Sequence, residues 1–176
     1  MIKNNCLLIN NIKINNINWI FRGLLFGLIL FISLNFILEK IRPIIIFDIS
    51  LPYHFGLGIK YNSTMKLKDG DIIAFKKYFE DKYIPENAIL TKYIACNEGE
   101  ELEEIDKVYY CNNSSIPIGI AKETDSKGIK VNNFKYNGII PENKIFVMGT
   151  SKNSYDSRYF GFIDKNKILY KVIPLF

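Results

Sequence analysis

Sixteen consecutive residues without a charge, Gly23 to Leu38, constrain this chain more than any other feature. Trp19, Ile20 and Phe21 precede Arg22, so the apolar run approaches the roughly 20 residues that a membrane-spanning helix needs. Arg22 is close enough to one end to snorkel to the headgroups, with Trp19 as an interfacial anchor. Asn35 is the awkward residue at depth, but one amide is tolerable. Two other readings compete. A cleaved signal peptide wants small residues at a cleavage site after the run, whereas this run ends on Glu39-Lys-Ile-Arg-Pro43. A buried core helix that is apolar on every side needs protein on every side, and the remaining chain is strand-rich and too small for that. We therefore read 17–38 as a retained transmembrane anchor, 1–16 as a cytoplasmic segment and 39–176 as one extracytoplasmic domain.

Charge sets the orientation. The first 22 residues carry Lys3, Lys13 and Arg22 and no acid. Removing those three from the 23 bases leaves 20 against 18 acids, so the rest holds +2 of the total +5. By the positive-inside rule the N-terminus faces the cytoplasm. A balance of +2 gives no basic stripe to grip a phosphate backbone, which argues against nucleic acid as a partner. On this topology Cys6 is a free cytoplasmic thiol. Cys96 and Cys111, fifteen positions apart in the outer domain, flank two strand-like segments, and a disulfide there closes a hairpin in an oxidising compartment. The competing reading is two buried free cysteines. A metal site lacks a third ligand at suitable spacing, the only histidine being His54.

The outer domain reads as mainly β and antiparallel. Pro43 to Phe47 is an extended apolar segment, broken by Ser50-Leu-Pro52, with Gly56 and Gly58 marking a turn or irregular region. Lys68-Asp-Gly-Asp71 is a turn signal feeding a strand over 72–75. Further strands are expected over 88–96 and 108–111, separated by an acidic stretch from Asn97 to Asp106. Residues 112–133 are polar and turn-rich. Ile139 to Met148 reads as a turn followed by a strand, and 160–163 with 168–174 as a closing hairpin. No amphipathic helix stands out.

One histidine makes a Ser–His–Asp triad unattractive, because His54 is only four residues from Ser50. A serine can instead use a lysine as its base if burial lowers the lysine's pKa. In strand register Leu90, Lys92 and Ile94 share a face, which is unusual for a lysine if that face is buried; otherwise Lys92 is an edge-strand residue reaching solvent. The segment Gly149-Thr-Ser-Lys-Asn-Ser-Tyr-Asp-Ser-Arg-Tyr-Phe-Gly161 concentrates small polar residues with Asp156 and Arg158 directly after a strand. Taken alone, it is a polar loop with an ion pair.

It does not stand alone. Asn153 to Gly161 resembles the C-terminal motif N-S-x-D-S-R-Y-x-G of bacterial type I signal peptidases. Ser50-Leu-Pro52 resembles that family's nucleophile motif. Gly70-Asp-Ile-Ile-Ala-Phe75 resembles its G-D-[IV]-V-x-F strand, and Leu90-Thr-Lys-Tyr-Ile94 the strand bearing its lysine base. The S-L-P form, the short domain and the paired cysteines are closest to the conjugative-transfer (TraF-type) branch. The resemblance implies a β-rich module around a Ser–Lys dyad, with apolar surface facing the membrane. It implies Ser50 as the nucleophile and a contributor, through its backbone N–H, to the oxyanion hole, and Lys92 as the general base. Ser154 would orient the lysine, and Asp156 with Arg158 would brace the site.

The expected activity is that of a membrane-anchored endopeptidase. It would remove signal or leader peptides from exported precursors, with pilin or conjugation-apparatus proteins as candidates, and without a cofactor. A general signal peptidase and an inactive assembly factor of the same fold are the alternatives. Three features depart from the family pattern, the first being that the glycine after S-L-P arrives late, at Gly56, behind Tyr53-His-Phe55. Asp48 stands where a hydroxyl residue often assists the oxyanion hole, and Gly149-Thr-Ser-Lys152 replaces a G-D-N-R opening. Ser63 is the other candidate nucleophile, although it lacks the serine–hydrophobic–proline pattern.

Overall fold

The computed structural model describes residues 3–46 and 50–176, with side chains from Trp19 onward. It divides into two units, Met1–Lys40 and Ile41–Phe176. The first is helix α1 (Lys3–Lys40). Its Trp19–Lys40 portion is 22 residues long and contains an 18-residue window of mean hydropathy 2.1, none of it buried, so it is long and apolar enough to cross a membrane. The polar side chains within it are satisfied locally. Asn35 Nδ2 donates to the Phe31 carbonyl at 2.7 Å and Ser33 Oγ to the Leu30 carbonyl at 2.9 Å, which removes most of the cost of placing them in hydrocarbon.

The second unit is built from antiparallel sheets. Its strands are β1 (Ile41–Ile45), β2 (Phe55–Lys60), β3 (Ile72–Lys76), β4 (Ile89–Cys96), β5 (Glu101–Ile105), β6 (Val108–Cys111), β7 (Gly119–Ile120), β8 (Gly138–Ile139), β9 (Lys144–Met148), β10 (Ile163–Asp164) and β11 (Ile168–Pro174). A short helix, α2 (Ser157–Phe160), comes after β9. Seven strands form one sheet in the order β1-β2-β11-β3-β4-β9-β10, and four form another in the order β7-β6-β5-β8.

Period-two alternation explains how these strands share two cores. In β3, Ile73 and Phe75 enter one buried cluster with Ile94, Ile145 and Val147, while Ile72 and Ala74 enter another with Leu51 and Val172. A strand covered on both faces reads as a continuous apolar run, and Ile72-Ile-Ala-Phe75 does. In β9, Ile145 and Val147 face the first cluster, whereas Phe146 and Met148 pack against Leu102 and Tyr109 of the four-stranded sheet. β9 therefore belongs to both cores.

The fold departs from the sequence expectations in four places. Gly56 and Gly58 lie inside β2 rather than in a turn. A Cβ on Gly56 would meet Val172 Cγ1 at 2.7 Å and one on Gly58 would meet Ile44 Cδ1 at 2.3 Å, so glycine is required there by close packing over the strand. The acidic stretch contains β5. Leu102, fully buried, points into the core while the glutamates around it point away. Residues 168–174 do not form a hairpin with 160–163: β11 runs between β2 and β3, and β10 pairs with β9 at the far edge. The disulfide Cys96–Cys111, with Cα atoms 5.8 Å apart, ties the two sheets together rather than closing one hairpin. The register between β4 and β9 shifts between Ile94 and Cys96, and this irregularity turns both Ala95 and Cys96 toward the second sheet.

The sequence separation of that disulfide is 15 residues, which in the chain-entropy model is worth about 3 kcal/mol. The Cys96→Ser/Cys111→Ser double variant should lose about that much in denaturant unfolding of the detergent-solubilised chain. An unchanged midpoint would show that the sheets hold together without it.

Candidate active site

Lys92 lies in β4 opposite Ile73 of β3. It is 1% exposed, on the face it shares with Leu90 and Ile94. That a lysine sits between aliphatics on a buried face was the unusual alternative in the sequence; the solvent-reaching edge lysine is not what the fold contains. Its Nζ donates to Ser50 Oγ, and to Ser154 Oγ at 3.1 Å. Ser154 Oγ lies a further 3.3 Å from Ser50 Oγ. One amine and two hydroxyls thus meet, all three buried, from segments 42 and 62 residues apart.

The loop after β9 brings them together. The Ser50 carbonyl accepts from the backbone N–H groups of Thr150 at 2.7 Å and Ser151 at 3.2 Å, and from Thr150 Oγ1 at 3.2 Å. This docks the segment between β1 and β2 onto the loop that carries Ser154. Gly149 permits the approach. A Cβ there would stand 2.3 Å from Ser154 Oγ and 2.8 Å from the Ser50 carbonyl oxygen. In the sequence Gly149 marks only the start of a polar segment; the contact that demands it is between residues a hundred positions apart.

Asp156 and Arg158 lie beneath this loop, 0% and 4% exposed. The guanidinium grips the carboxylate with two parallel bonds, Nε to Oδ1 and Nη2 to Oδ2, each 2.8 Å. Its remaining donors reach the carbonyls of Ile120 at 2.7 Å and Ser154 at 3.1 Å. Asp156 Oδ2 also accepts from Gly149 N at 3.0 Å, and Oδ1 caps α2 through Arg158 N. Ser157 Oγ accepts from Val147 N at 2.9 Å, which fixes α2 to β9. Burial alone would lower the Arg158 pKa, but the hydrogen bonds and charge of Asp156 outweigh it and the guanidinium is held above its ordinary value. Among the described residues no buried side-chain nitrogen or oxygen lacks a hydrogen bond.

The other sequence candidates lie elsewhere. Ser63 is exposed in the turn from Asn62 to Met65. His54 is exposed, its backbone bonded to Ile46 and Phe176. Asp48 and the Cys6 side chain fall outside the described residues.

A feature with no counterpart among the sequence expectations adjoins Ser154. A cleft of about 880 Å³ opens beside it, lined also by Tyr83, Tyr155 and Tyr159 and by the turn around Asp125. Tyr155 and Tyr159 belong to the motif around Ser154, but Tyr83 and the turn around Asp125 come from distant parts of the chain, so the motif alone does not announce the cleft.

A family model described as signal peptidase, peptidase S26, matches residues 17–176. The chain belongs to that family. The apolar helix and the sheets around Lys92 are thus those of a signal peptidase family member. A Staphylococcus aureus protein (strain N315) named inactive signal peptidase IA is 30% identical over 107 residues, covering 59% of this chain and 57% of its own. The conjugal transfer protein TraF of Agrobacterium tumefaciens (strain 15955) is 33% identical over 89 residues, covering 51% and 49%. The chain spans about half the length of the curated relatives it matches. A signal peptidase I structure from Enterococcus faecalis V583 superposes with a TM-score of 0.40 at 23% identity, covering 62% of this chain and 98% of that one.

Removing one partner from a buried, fully bonded ion pair leaves an uncompensated charge, at a cost of about 3–5 kcal/mol. Arg158→Ala should destabilise the protein by that amount in denaturant unfolding, and Arg158→Lys should not restore it, since an ammonium cannot reproduce the two-pronged grip. A loss below about 1 kcal/mol, the range of an exposed pair, would mean that the pair is a bystander.

Proposed function

We propose that this chain is a membrane-anchored serine endopeptidase in which Ser50 is the nucleophile and Lys92 the general base. The observation that carries the reading is the hydrogen bond between the Lys92 amine and the Ser50 hydroxyl in a buried setting. Burial disfavours an ammonium relative to the neutral amine, and a neutral amine touching a hydroxyl can take its proton as the oxygen attacks a carbonyl. Lys92 then returns that proton to the leaving amine. Ser154, hydrogen-bonded to the lysine, holds the amine on line. The backbone N–H of Ser50 contributes to the oxyanion hole. Asp156 and Arg158 touch no reacting atom; they position the loop bearing Ser154.

The substrates on this reading are exported precursors that lose a signal or leader peptide, with pilin or conjugation-apparatus proteins supported by the likeness to TraF. The N-terminus is cytoplasmic and the β domain extracytoplasmic, in keeping with Lys3, Lys13 and Arg22 before the span and with a disulfide in the domain beyond it. The bilayer is a second partner of the β domain. Ile41 and Ile45 of β1, Phe55 and Leu57 of β2, and Ile173 and Phe176 are exposed on one sheet region. The register sets Ile45 across from Phe55 and Leu57 across from Ile173. An apolar patch of this kind on an anchored domain fits insertion among lipid headgroups.

A relative named inactive gives the assembly-factor reading its specific support, while the contact between Ser50 and Lys92 in this chain favours activity. Cleavage of candidate precursors by detergent-solubilised protein separates the two. Ser50→Ala and Lys92→Ala should each lower the rate at least about a thousandfold, with the unfolding midpoint retained, and Ser63→Ala should cleave normally. Loss of activity in Ser63→Ala alone would relocate the nucleophile. No cleavage by the wild type, under conditions where an active signal peptidase cleaves the same precursors, would support the inactive form.

A further inference from the structure

The cleft beside Ser154 has a chemistry of its own. Its walls carry four lysines, Lys82, Lys122, Lys127 and Lys152, against two acids, Glu123 and Asp125. Both acids are already engaged. Glu123 pairs with Lys107, and its pKa is lowered first by that hydrogen bond. Asp125 accepts from the backbone N–H groups of Lys127 at 2.8 Å and Ile129 at 2.9 Å, and from the Tyr83 hydroxyl at 3.1 Å. Two of the lysines have local partners: Lys122 Nζ donates to Asn153 Oδ1 at 2.5 Å, and Lys82 lies over the Tyr83 ring at 4.9 Å. Neither is a carboxylate; Lys82 also feels the charge of Asp125, and the lining as a whole keeps an excess of positive charge, four lysines against two acids.

The cleft is also a built structure rather than a gap between mobile side chains. Tyr155 stacks on Tyr159 at 5.1 Å and meets Tyr83 at 4.9 Å. The Tyr155 hydroxyl donates to Asp81 at 2.5 Å, and Asp81 in turn accepts from the backbone of Tyr83 and Ile84. Lys77, buried, donates to the carbonyls of Asp81 and Ile84 and secures the same loop. One wall is therefore fixed to the residue after Ser154, and the opposite wall is joined to it through Tyr83 and Asp125.

Resting on the peptidase reading above, we propose that this cleft receives the part of the precursor beyond the cut and selects acidic side chains in it. The segment before the cut of a signal peptide is an apolar run ending in small residues, which has nothing to offer a lysine-lined cleft. The chain after the cut is under no such restriction, and it must leave the site past the groups around Ser50. Carboxylates on it would meet ammonium groups at a partly covered surface, where each pair contributes up to about 1 kcal/mol, or roughly fivefold in rate. Lysines at the same positions would be repelled.

The test uses full-length detergent-solubilised protein and two synthetic peptides with an apolar run and an Ala-x-Ala cleavage sequence. One carries three glutamates after the cut and the other three lysines. The readout is the ratio of kcat/KM for the two peptides, in which any general loss of activity cancels. Wild type should favour the glutamate peptide by about tenfold, with the ratio shrinking as salt is raised. Lys127→Glu/Lys152→Glu should bring it to one or below. A wild-type ratio near one, or a ratio unmoved by the double reversal, overturns the inference and leaves the peptidase reading standing. Binding to the Ser50→Ala protein, read by fluorescence anisotropy, separates the two claims. If wild type cleaves neither peptide, yet Ser50→Ala binds the glutamate peptide and loses it on charge reversal, the cleft is supported and the peptidase reading fails. If instead the reversal abolishes binding to anionic lipid vesicles and leaves peptide binding unchanged, the cleft is a headgroup site and the inference is wrong.

Discussion

The Arg158 guanidinium is the interaction on which the site depends. A buried cation is costly unless its nitrogens are hydrogen-bonded and its charge is matched, and here all three nitrogens are bonded and Asp156 matches the charge. Asp156 takes two of its bonds, while the carbonyls of Ser154 and Ile120 take others. Asp156 directs its remaining capacity to the Gly149 and Arg158 backbone. One pair thus fixes both ends of the loop from Gly149 to Ser154 and links it to β7 in the other sheet. A set of neutral side chains could fill this volume, but it could not satisfy together four backbone groups, those of Gly149, Ser154, Arg158 and Ile120.

That anchoring makes it possible for a lysine to reside in an apolar core. Lys92 faces the same cluster as Ile73 and Ile94, and its amine meets the hydroxyls of Ser50 and Ser154 where they converge on it. The convergence needs Gly149, because any side chain there would fill the space occupied by Ser154. β4 contributes to both halves of the domain. It offers Lys92 to one core, and after a shift in register it offers Cys96 to the other, where the disulfide joins it to β6. Lys92 is therefore held by an inner strand of the seven-stranded sheet, with β3 on one side and β9 on the other.

Relatives of this chain carry names as different as an inactive signal peptidase and a conjugal transfer protein. In this chain a serine hydroxyl, a lysine amine and a second hydroxyl are all present and in contact, and a cleft of defined charge adjoins them.

Local pattern and composition determined several things by themselves. Sixteen uncharged residues dictate a helix suited to a bilayer, because no other single segment satisfies its own backbone in hydrocarbon. Alternation in 89–96 and the apolar run 72–75 dictate strands, and the ordered motifs around Ser50, Lys92 and Asp156 mark residues that the fold brings together. The pairing of distant strands was not written locally. β11 inserts between β2 and β3, and Gly56 and Gly58 sit within a strand, because side chains far along the chain pack over them. β5 was hidden by its glutamates, since Leu102 is the residue that faces inward. Lysine, glycine and acidic residues carry no local sign of whether they will be buried. Burial is a property of what the rest of the chain places against them, and so the dryness of Lys92, the need for Gly149 and the cleft of lysines were decided only by the tertiary structure.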